Sequence, residues 1–141
     1  MFDFSGMNVV VTGAGAGIGQ GTAKVFAEHG ATVIALDIHG DTAQRTADEA
    51  KDLGHRMMAI QTDVGDEASV DTAFETIRSQ FFEVHGLVNV AGIELYKDYL
   101  DFTDAEWDRQ IAVNLKSVFL CTRRVIPMMI ARGGGTIVNT A

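Results

Sequence analysis

Glycines are concentrated in one short segment near the start of the chain, directly after a run of valines. Val9, Val10 and Val11 are followed by Thr12 and then by glycines at positions 13, 15, 17 and 19, after which a helical pattern begins at once. Glycine lets the backbone approach a ligand without an intervening Cβ, and the free N–H groups at the start of a helix attract an anion. The sequence therefore predicts a strand, a tight turn and a helix that together bind a phosphate group.

The spacing of these glycines separates two nucleotide-binding patterns. The pattern G-x-G-x-x-G fails, because it would place Ile18 or Gln20 where its last glycine belongs, whereas G-x-x-x-G-x-G is matched by Gly13, Gly17 and Gly19. A turn that only connects a strand to a helix rarely contains so many glycines, because each glycine costs folding entropy. A nucleotide site is favoured over a purely structural turn.

Asp37 ends the second predicted strand and could complete half of such a site. A carboxylate there can accept both hydroxyls of an adenosine ribose, and it repels a 2′-phosphate by about 4 kcal/mol at ~4 Å and an effective dielectric constant near ~20. Ala14 and Ala16 stand in the turn where an arginine or lysine could neutralise that phosphate. NAD is therefore favoured over NADP as the ligand; a solvated residue at a strand end is the structural alternative for Asp37.

Strands and helices that would position these residues alternate along the chain. Predicted strands cover residues 8–12, 32–36, 56–61, 87–91 and 136–140. Predicted helices cover residues 18–29, 41–53 with Asp41 as N-cap, a third segment that opens at Asp66 or Glu67, and 103–131. Such alternation predicts an α/β fold with a parallel sheet and helices on both faces, doubly wound from a central first strand in the order 3-2-1-4-5. We expect residues 1–141 to form a single domain.

The last helix carries several specific expectations. Thr103 and Glu106 match a capping box at its start. An apolar stripe recurs every four residues along it, at Trp107, Ile111, Leu115 and Phe119. Pro127 should kink or shorten the helix near its end. The ten residues before it, 93–102, are expected to form a loop.

Residues 12–19 resemble the glycine motif of the short-chain dehydrogenase/reductase family. Further segments in register resemble other motifs of that family: Asp63 and Val64 its adenine contact, residues 89–92 its Asn-Asn-Ala-Gly motif, Asn114 its catalytic asparagine, and residues 134–139 its fifth strand. The resemblance implies a Rossmann-type NAD-binding domain with Asn114 as a catalytic residue. The expected cofactor-binding residues are Gly13, Gly17, Ile18, Gly19, Asp37, Asp63, Val64, Asn89, Ala91 and Gly92.

The chain departs from the family pattern at two points. Val90 replaces the second asparagine of the Asn-Asn-Ala-Gly motif, whose side chain usually bonds between strands. The family's chemistry also needs a serine just after strand five and then Tyr-x-x-x-Lys, whereas neither Tyr96 nor Tyr99 has a lysine four residues later and the chain stops at Ala141. We therefore expect a domain truncated after strand five and catalytically incompetent.

The resemblance implies that the full-length parent is an oxidoreductase that transfers hydride between NAD and an alcohol or carbonyl substrate. The alternative for this chain is a non-catalytic dinucleotide-binding or oligomerisation module. An open sheet edge at strand five and the last helix, through which the family commonly associates, predict a homo-oligomer.

Composition excludes several other classes. A net charge of −8 argues against nucleic-acid binding, because phosphate backbones require clustered lysine and arginine. The four histidines show no metal-ligand spacing, so no metal site is expected. The single cysteine, Cys121, suits a reducing compartment and is expected to be a small buried hydrophobe, and no apolar run approaches the ~20 residues that span a bilayer. We expect a cytoplasmic protein.

Overall fold

A five-stranded parallel sheet forms the centre of the molecule, and the computed structural model describes residues 2–141. The strand order is β3-β2-β1-β4-β5, so the expected doubly wound arrangement is confirmed. The strands are β1 (Asn8–Thr12), β2 (Thr32–Asp37), β3 (Arg56–Gln61), β4 (Gly86–Asn89) and β5 (Thr136–Asn139).

Strand β1 lies in the middle because it can be buried on both faces. It pairs with β2 on one side and with β4 on the other. Val10 packs into one apolar core and Val9 and Val11 into the other. A strand covered on both faces needs no polar alternation, which explains its continuous valine run.

Within residues 2–141, five α-helices surround the sheet: α1 (Gly17–Glu28), α2 (Gly40–Asp52), α3 (Glu67–Gln80), α4 (Asp104–Ile111) and α5 (Ser117–Arg132). Helices α1 and α2 contact each other and cover one face, where Ala23 and Ala27 of α1 pack on β1 and β2. Helices α3 and α5 cover the opposite face, where Phe74 and Leu120 belong to one core cluster.

The structure corrects two predicted boundaries and confirms a third. Asp41 is not an N-cap. Helix α2 begins at Gly40, and Asp41 lies in its first turn, where its negative charge interacts favourably with the helix dipole. Strand β4 ends at Asn89 rather than Ala91, because the N–H groups of Val90 and Ala91 turn to the hydroxyl of Thr12. The predicted capping box is confirmed, with Thr103 as N-cap of α4.

The predicted long helix is interrupted by a π-helical turn at Ala112–Lys116, which separates α4 from α5. Pro127 does not shorten α5, which continues to Arg132. The predicted apolar stripe does not face the core: Leu115 is 65% exposed and Phe119 55% exposed. The buried face instead carries Val113, Ser117, Leu120, Cys121, Val125, Met128 and Met129.

Cys121 is fully buried, as expected, and this burial raises the pKa of its thiol to about 12. Among residues 2–141 no helix is long and apolar enough to cross a membrane. The described residues also contain no cluster of histidine, cysteine or acidic side chains that could hold a metal ion.

Candidate functional site

The turn after β1 depends on glycine at two positions. Gly13 has a φ of +67°, and a Cβ there would lie 2.9 Å from the Cα of Ala91. A Cβ on Gly19 would overlap the carbonyl of Gly13. These two glycines let the start of α1 sit directly against the turn, and the turn against the segment that follows β4.

The start of helix α1 offers unpaired backbone donors. Ala16 precedes the helix without capping it through its side chain, and the first turn contains no acidic residue. The first N–H groups of a helix have no intrahelical partner, and the helix dipole makes this end positive. Ile18 and Gly19 from this turn line a cleft, so the positive end of α1 faces into it.

The cleft has a volume of about 480 Å³ and lies at the carboxyl ends of the strands. This is the edge of a doubly wound sheet where ligands bind, because helices on opposite faces diverge there. Eight predicted cofactor-binding residues line it: Gly13, Ile18, Gly19, Asp37, Asp63, Val64, Ala91 and Gly92. Gly17 and Asn89 do not line the cleft.

The carboxylate of Asp37 lies beside the glycine turn. Its Oδ2 accepts a hydrogen bond from the N–H of Gly15 (2.9 Å), and its Oδ1 accepts one from the N–H of His39 (2.9 Å). Each oxygen keeps a second acceptor site, since a carboxylate can accept about four hydrogen bonds. The side chain is therefore held in one orientation and still has acceptors to offer a ligand.

At the other side of the cleft, Asp63 is paired with an arginine that the sequence analysis missed. The two guanidinium nitrogens of Arg109 lie 3.1 Å and 3.0 Å from Oδ1 and Oδ2 of Asp63. The N–H of Gly65 also donates to Oδ1 (2.9 Å). Because the partners are 46 residues apart in the chain, no local pattern could have indicated the pair.

Asn89 and Val90 hold the end of β4. The side-chain amide of Asn89 donates to Oδ1 of Asn139 on β5 (2.9 Å), which is a bond between neighbouring strands. The N–H of Val90 donates to the hydroxyl of Thr12 (3.0 Å), and its side chain packs against the core on the α1 side. The departure at Val90 thus leaves β4 paired with both neighbours.

Asn114 lies in the π-helical turn and bonds to the segment after β4. Its Oδ1 accepts from the N–H of Ile93, and its Nδ2 donates to the carbonyl of Ile93, both at 2.8 Å. Ile93 lines the cleft whereas Asn114 does not. The two hydrogen bonds of the Asn114 side chain therefore hold the backbone of Ile93, and with it one edge of the cleft, in place.

The family model described as short chain dehydrogenase matches residues 7–141. The chain belongs to the short-chain dehydrogenase/reductase family. The confirmed strand order and the cleft at the strand ends agree with this membership.

Similar proteins in this family are about twice as long. Oxidoreductase UcpA of Salmonella typhimurium is 41% identical over 138 residues, which are 98% of this chain and 52% of UcpA. The (2S)-[(R)-hydroxy(phenyl)methyl]succinyl-CoA dehydrogenase subunit BbsD of Thauera aromatica is 39% identical, over 94% of this chain and 53% of its own length. The chain thus spans about half the length of the curated relatives it matches.

A solved structure of a related enzyme has the same fold over the length of this chain. A 7α-hydroxysteroid dehydrogenase complexed with NADH and 7-oxo glycochenodeoxycholic acid superposes with a TM-score of 0.92 at 34% identity. The match covers 100% of this chain and 57% of the other. The fold of this chain therefore matches a little over half of that larger dehydrogenase.

Proposed function

We propose that this chain binds NAD in the cleft at the carboxyl ends of the strands, as part of an NAD-dependent oxidoreductase. One observation carries the proposal: the uncapped start of α1 and the Asp37 carboxylate line the same cleft. The first attracts a pyrophosphate and the second accepts ribose hydroxyls. Such a pair of groups matches the two polar parts of an adenosine dinucleotide.

The remaining lining residues fit the other parts of the cofactor. Asp63 and Val64 would hold the adenine, Gly13 and Gly19 the pyrophosphate, and Ala91 and Gly92 the segment toward the nicotinamide, with Gly17 and Asn89 supporting the backbone around them. The absence of a Cβ at Gly13 and Gly19 lets the turn, the start of α1 and the segment after β4 pack closely around the proposed phosphate site. When bound, the nicotinamide supplies hydride acceptor or donor chemistry, which protein side chains lack.

Selection of NAD over NADP follows from the charge of Asp37. Because Gly15 and His39 hold its carboxylate in the cleft, it would face a 2′-phosphate at close range. Repulsion of about 4 kcal/mol, halved for solvent screening, still corresponds to more than about tenfold in affinity. Calorimetric titration of the chain with NAD and with NADP tests this preference, and equal or tighter NADP binding would contradict it.

We further propose that the whole protein takes part in hydride transfer between NAD and an alcohol or carbonyl group. The names of its relatives support this class: the steroid enzyme is complexed with a 7-oxo compound, and BbsD is a dehydrogenase of a hydroxylated succinyl-CoA. The 141 residues themselves contain no Tyr-x-x-x-Lys. General acid–base catalysis contributes typically about 10²–10⁴-fold, so we propose that residues 1–141 bind the cofactor without catalysing its turnover.

A turnover assay tests the catalytic half of this proposal separately. Purified chain is mixed with NADH and a panel of aldehydes and ketones, and absorbance of NADH is followed at saturating cofactor. No steady consumption above that of a sample without protein is expected. Sustained consumption that depends on the carbonyl compound would show that other residues supply the proton.

We also propose that the chain associates with a second copy through the outer face of α4 and α5. Leu115, Phe119 and Ile130 are each more than half exposed on this face. Exposed apolar patches of this kind mark interaction sites. Light scattering at micromolar protein should give a dimer or larger species that Leu115→Asp converts to monomer; a monomeric wild-type chain would contradict the proposal.

A further inference from the structure

Arg109 reaches into the cleft from helix α4 and contacts the carboxylate that would face the adenine. Its Nη2 donates a hydrogen bond to Oδ1 of Asp63 (3.1 Å), and its Nη1 makes an ion-pair contact with Oδ2 (3.0 Å). A charge-assisted hydrogen bond together with a second close contact between the same two groups restricts their relative orientation. The pair is half-buried, at the wall of the cleft rather than on the outer surface.

Close packing keeps Arg109 in this position. A Cβ on Gly65 would lie 2.8 Å from Nη1 of Arg109 and 3.2 Å from the side chain of Val113. The guanidinium therefore lies across the bare backbone of Gly65, in the loop between β3 and α3. A larger residue at position 65 would push the guanidinium away from Asp63.

The hydrogen bonds that the Asp63 carboxylate already accepts determine which of its oxygens can still accept one from a ligand. Oδ1 accepts from Gly65 and from Arg109, which uses both of its acceptor sites. Oδ2 accepts no hydrogen bond among residues 2–141 and lies 3.0 Å from Nη1 of Arg109, so it can still accept a hydrogen bond from a ligand. Arg109 thus leaves Oδ2 as the oriented acceptor of Asp63.

The same arginine changes the charge of the cleft. The charged side chains that line it in residues 2–141 are the carboxylates of Asp37 and Asp63 and the guanidinium of Arg109. A dinucleotide brings a negatively charged pyrophosphate to this site. Without Arg109, two unpaired carboxylates would face that anion across the cleft.

We infer that Arg109 is a positioning residue for adenine recognition, which orients Oδ2 of Asp63 toward the exocyclic amine of the base. This inference rests on the proposed function, namely NAD binding in the same cleft. An amine donates to the oriented acceptor. A base with a carbonyl at that position places an acceptor against an acceptor and loses the hydrogen bond.

The test compares NAD with nicotinamide hypoxanthine dinucleotide, which carries a carbonyl in place of the exocyclic amine. Calorimetry gives the ratio of the two dissociation constants for the wild-type chain, for Arg109→Gln and for Arg109→Lys. A hydrogen bond to a charged acceptor corresponds to about tenfold or more in affinity, so the wild type should prefer NAD by that factor. Arg109→Gln should reduce the preference to about threefold or less, and lysine, which lacks the fork geometry, should restore only part of it.

The ratio of the two dissociation constants separates an effect on the orientation of Asp63 from the effects of lost charge and of impaired folding. Loss of the positive charge weakens both dinucleotides alike, so it leaves the ratio unchanged. The matched control is Arg123→Gln, which removes another arginine–carboxylate pair, to Glu67, outside the cleft, and it should keep the wild-type ratio. Arg109→Lys supplies the measurement if Arg109→Gln melts below the assay temperature.

Each remaining outcome has one meaning. If the wild type binds NAD and the ratio is the same in Arg109→Gln, or if the wild type binds both dinucleotides equally, the role of Arg109 is wrong while NAD binding stands. If the wild type binds neither dinucleotide, the proposed function itself is wrong.

Discussion

The proposed choice of NAD over NADP depends on a single side chain whose orientation the backbone fixes. Asp37 accepts hydrogen bonds from the N–H groups of Gly15 and His39, so its carboxylate cannot swing out of the cleft without losing both. A flexible carboxylate could move away from a 2′-phosphate, whereas this one must repel it. We propose that this orientation makes the preference for NAD a property of the folded chain.

Asp37→Asn keeps the shape of the side chain and removes its charge. The ratio of NAD to NADP affinity should fall about tenfold, because the amide no longer repels the phosphate. Calorimetry with both cofactors measures the ratio. The matched control is Asp41→Asn in the first turn of α2, outside the residues that line the cleft, which should leave it unchanged; an unchanged ratio in Asp37→Asn would contradict the assignment.

Substitution of Gly13 tests the backbone geometry of the turn after β1. Gly13→Ala places a Cβ at a φ of +67° and 2.9 Å from the Cα of Ala91, so the free energy of unfolding should fall by about 1–3 kcal/mol. Urea unfolding measures the change. Gly21→Ala inside α1 is the control, because it has open space and ordinary helical backbone, and it should be neutral or stabilising by about 0.5–1 kcal/mol. Equal effects at both positions would argue against the turn geometry.

At the scale of elements, the capping box of α4 sets where the segment carrying Arg109 begins. The hydroxyl of Thr103 accepts from the N–H of Glu106, and the Glu106 carboxylate accepts from the N–H of Thr103. Thr103→Ala should lower the free energy of unfolding by about 0.5–2 kcal/mol, measured in urea. Thr72→Ala on α3 removes a hydroxyl that bonds only back to Ala68, and it should stay within about 0.5 kcal/mol of the wild type.

The same capping box makes the free energy of unfolding depend on pH in the acidic range. The N–H of Thr103, and then Lys97, lower the pKa of Glu106 from its ordinary 4.5 to about 2. A lowered pKa in the folded state stabilises the protein fully above the unfolded value, and this contribution disappears as the pH falls through the folded value. The stability difference between wild type and Glu106→Gln should thus be constant above about pH 4.5 and shrink toward pH 2. A difference that does not change over this range would contradict the ionised cap.

Sequence patterns predicted the elements better than the directions in which they face. The strands and the capping box follow from local residue preferences, which act within a few neighbours. The burial of the last helix does not follow from such preferences. Trp107 and Ile111 lie before the π-helical turn, Leu115 lies within it and Phe119 after it, yet all four side chains are exposed. A spacing of four residues indicates which side chains share a helix face, and tertiary packing decides whether that face meets the sheet.

For the molecule as a whole, alternation of strands and helices was enough to predict the sheet order. Right-handed crossovers leave few topologies for such a chain, and the buried valine run marks its central strand. The glycine turn and Asp37 were predicted to belong to one nucleotide site from their residue types and spacing, and Asp63 was added to that site by the family resemblance. The contact between Arg109 and Asp63 was not predicted. It depends on how α4 packs across the loop after β3, and no short-range sequence pattern encodes it.

Several elements contribute to the lining of the cleft. Residues at the carboxyl ends of β1 to β4 and at the start of α1 supply most of it, and Arg109, Val113 and Thr140 supply the rest. The apolar outer face of α4 and α5 and the edge strand β5 lie on other surfaces of the molecule. Cofactor binding and association can therefore be tested independently.

Amide hydrogen exchange of the chain with and without saturating NAD tests the central claim most directly. It reports where the cofactor lies as well as whether it binds. Slower exchange is expected at residues 13–19, 37–42 and 62–65, with no change at residues 119–130 on the outer part of α5. Unchanged exchange throughout, or protection confined to the outer face of α4 and α5, would contradict the assignment of this cleft as the NAD site.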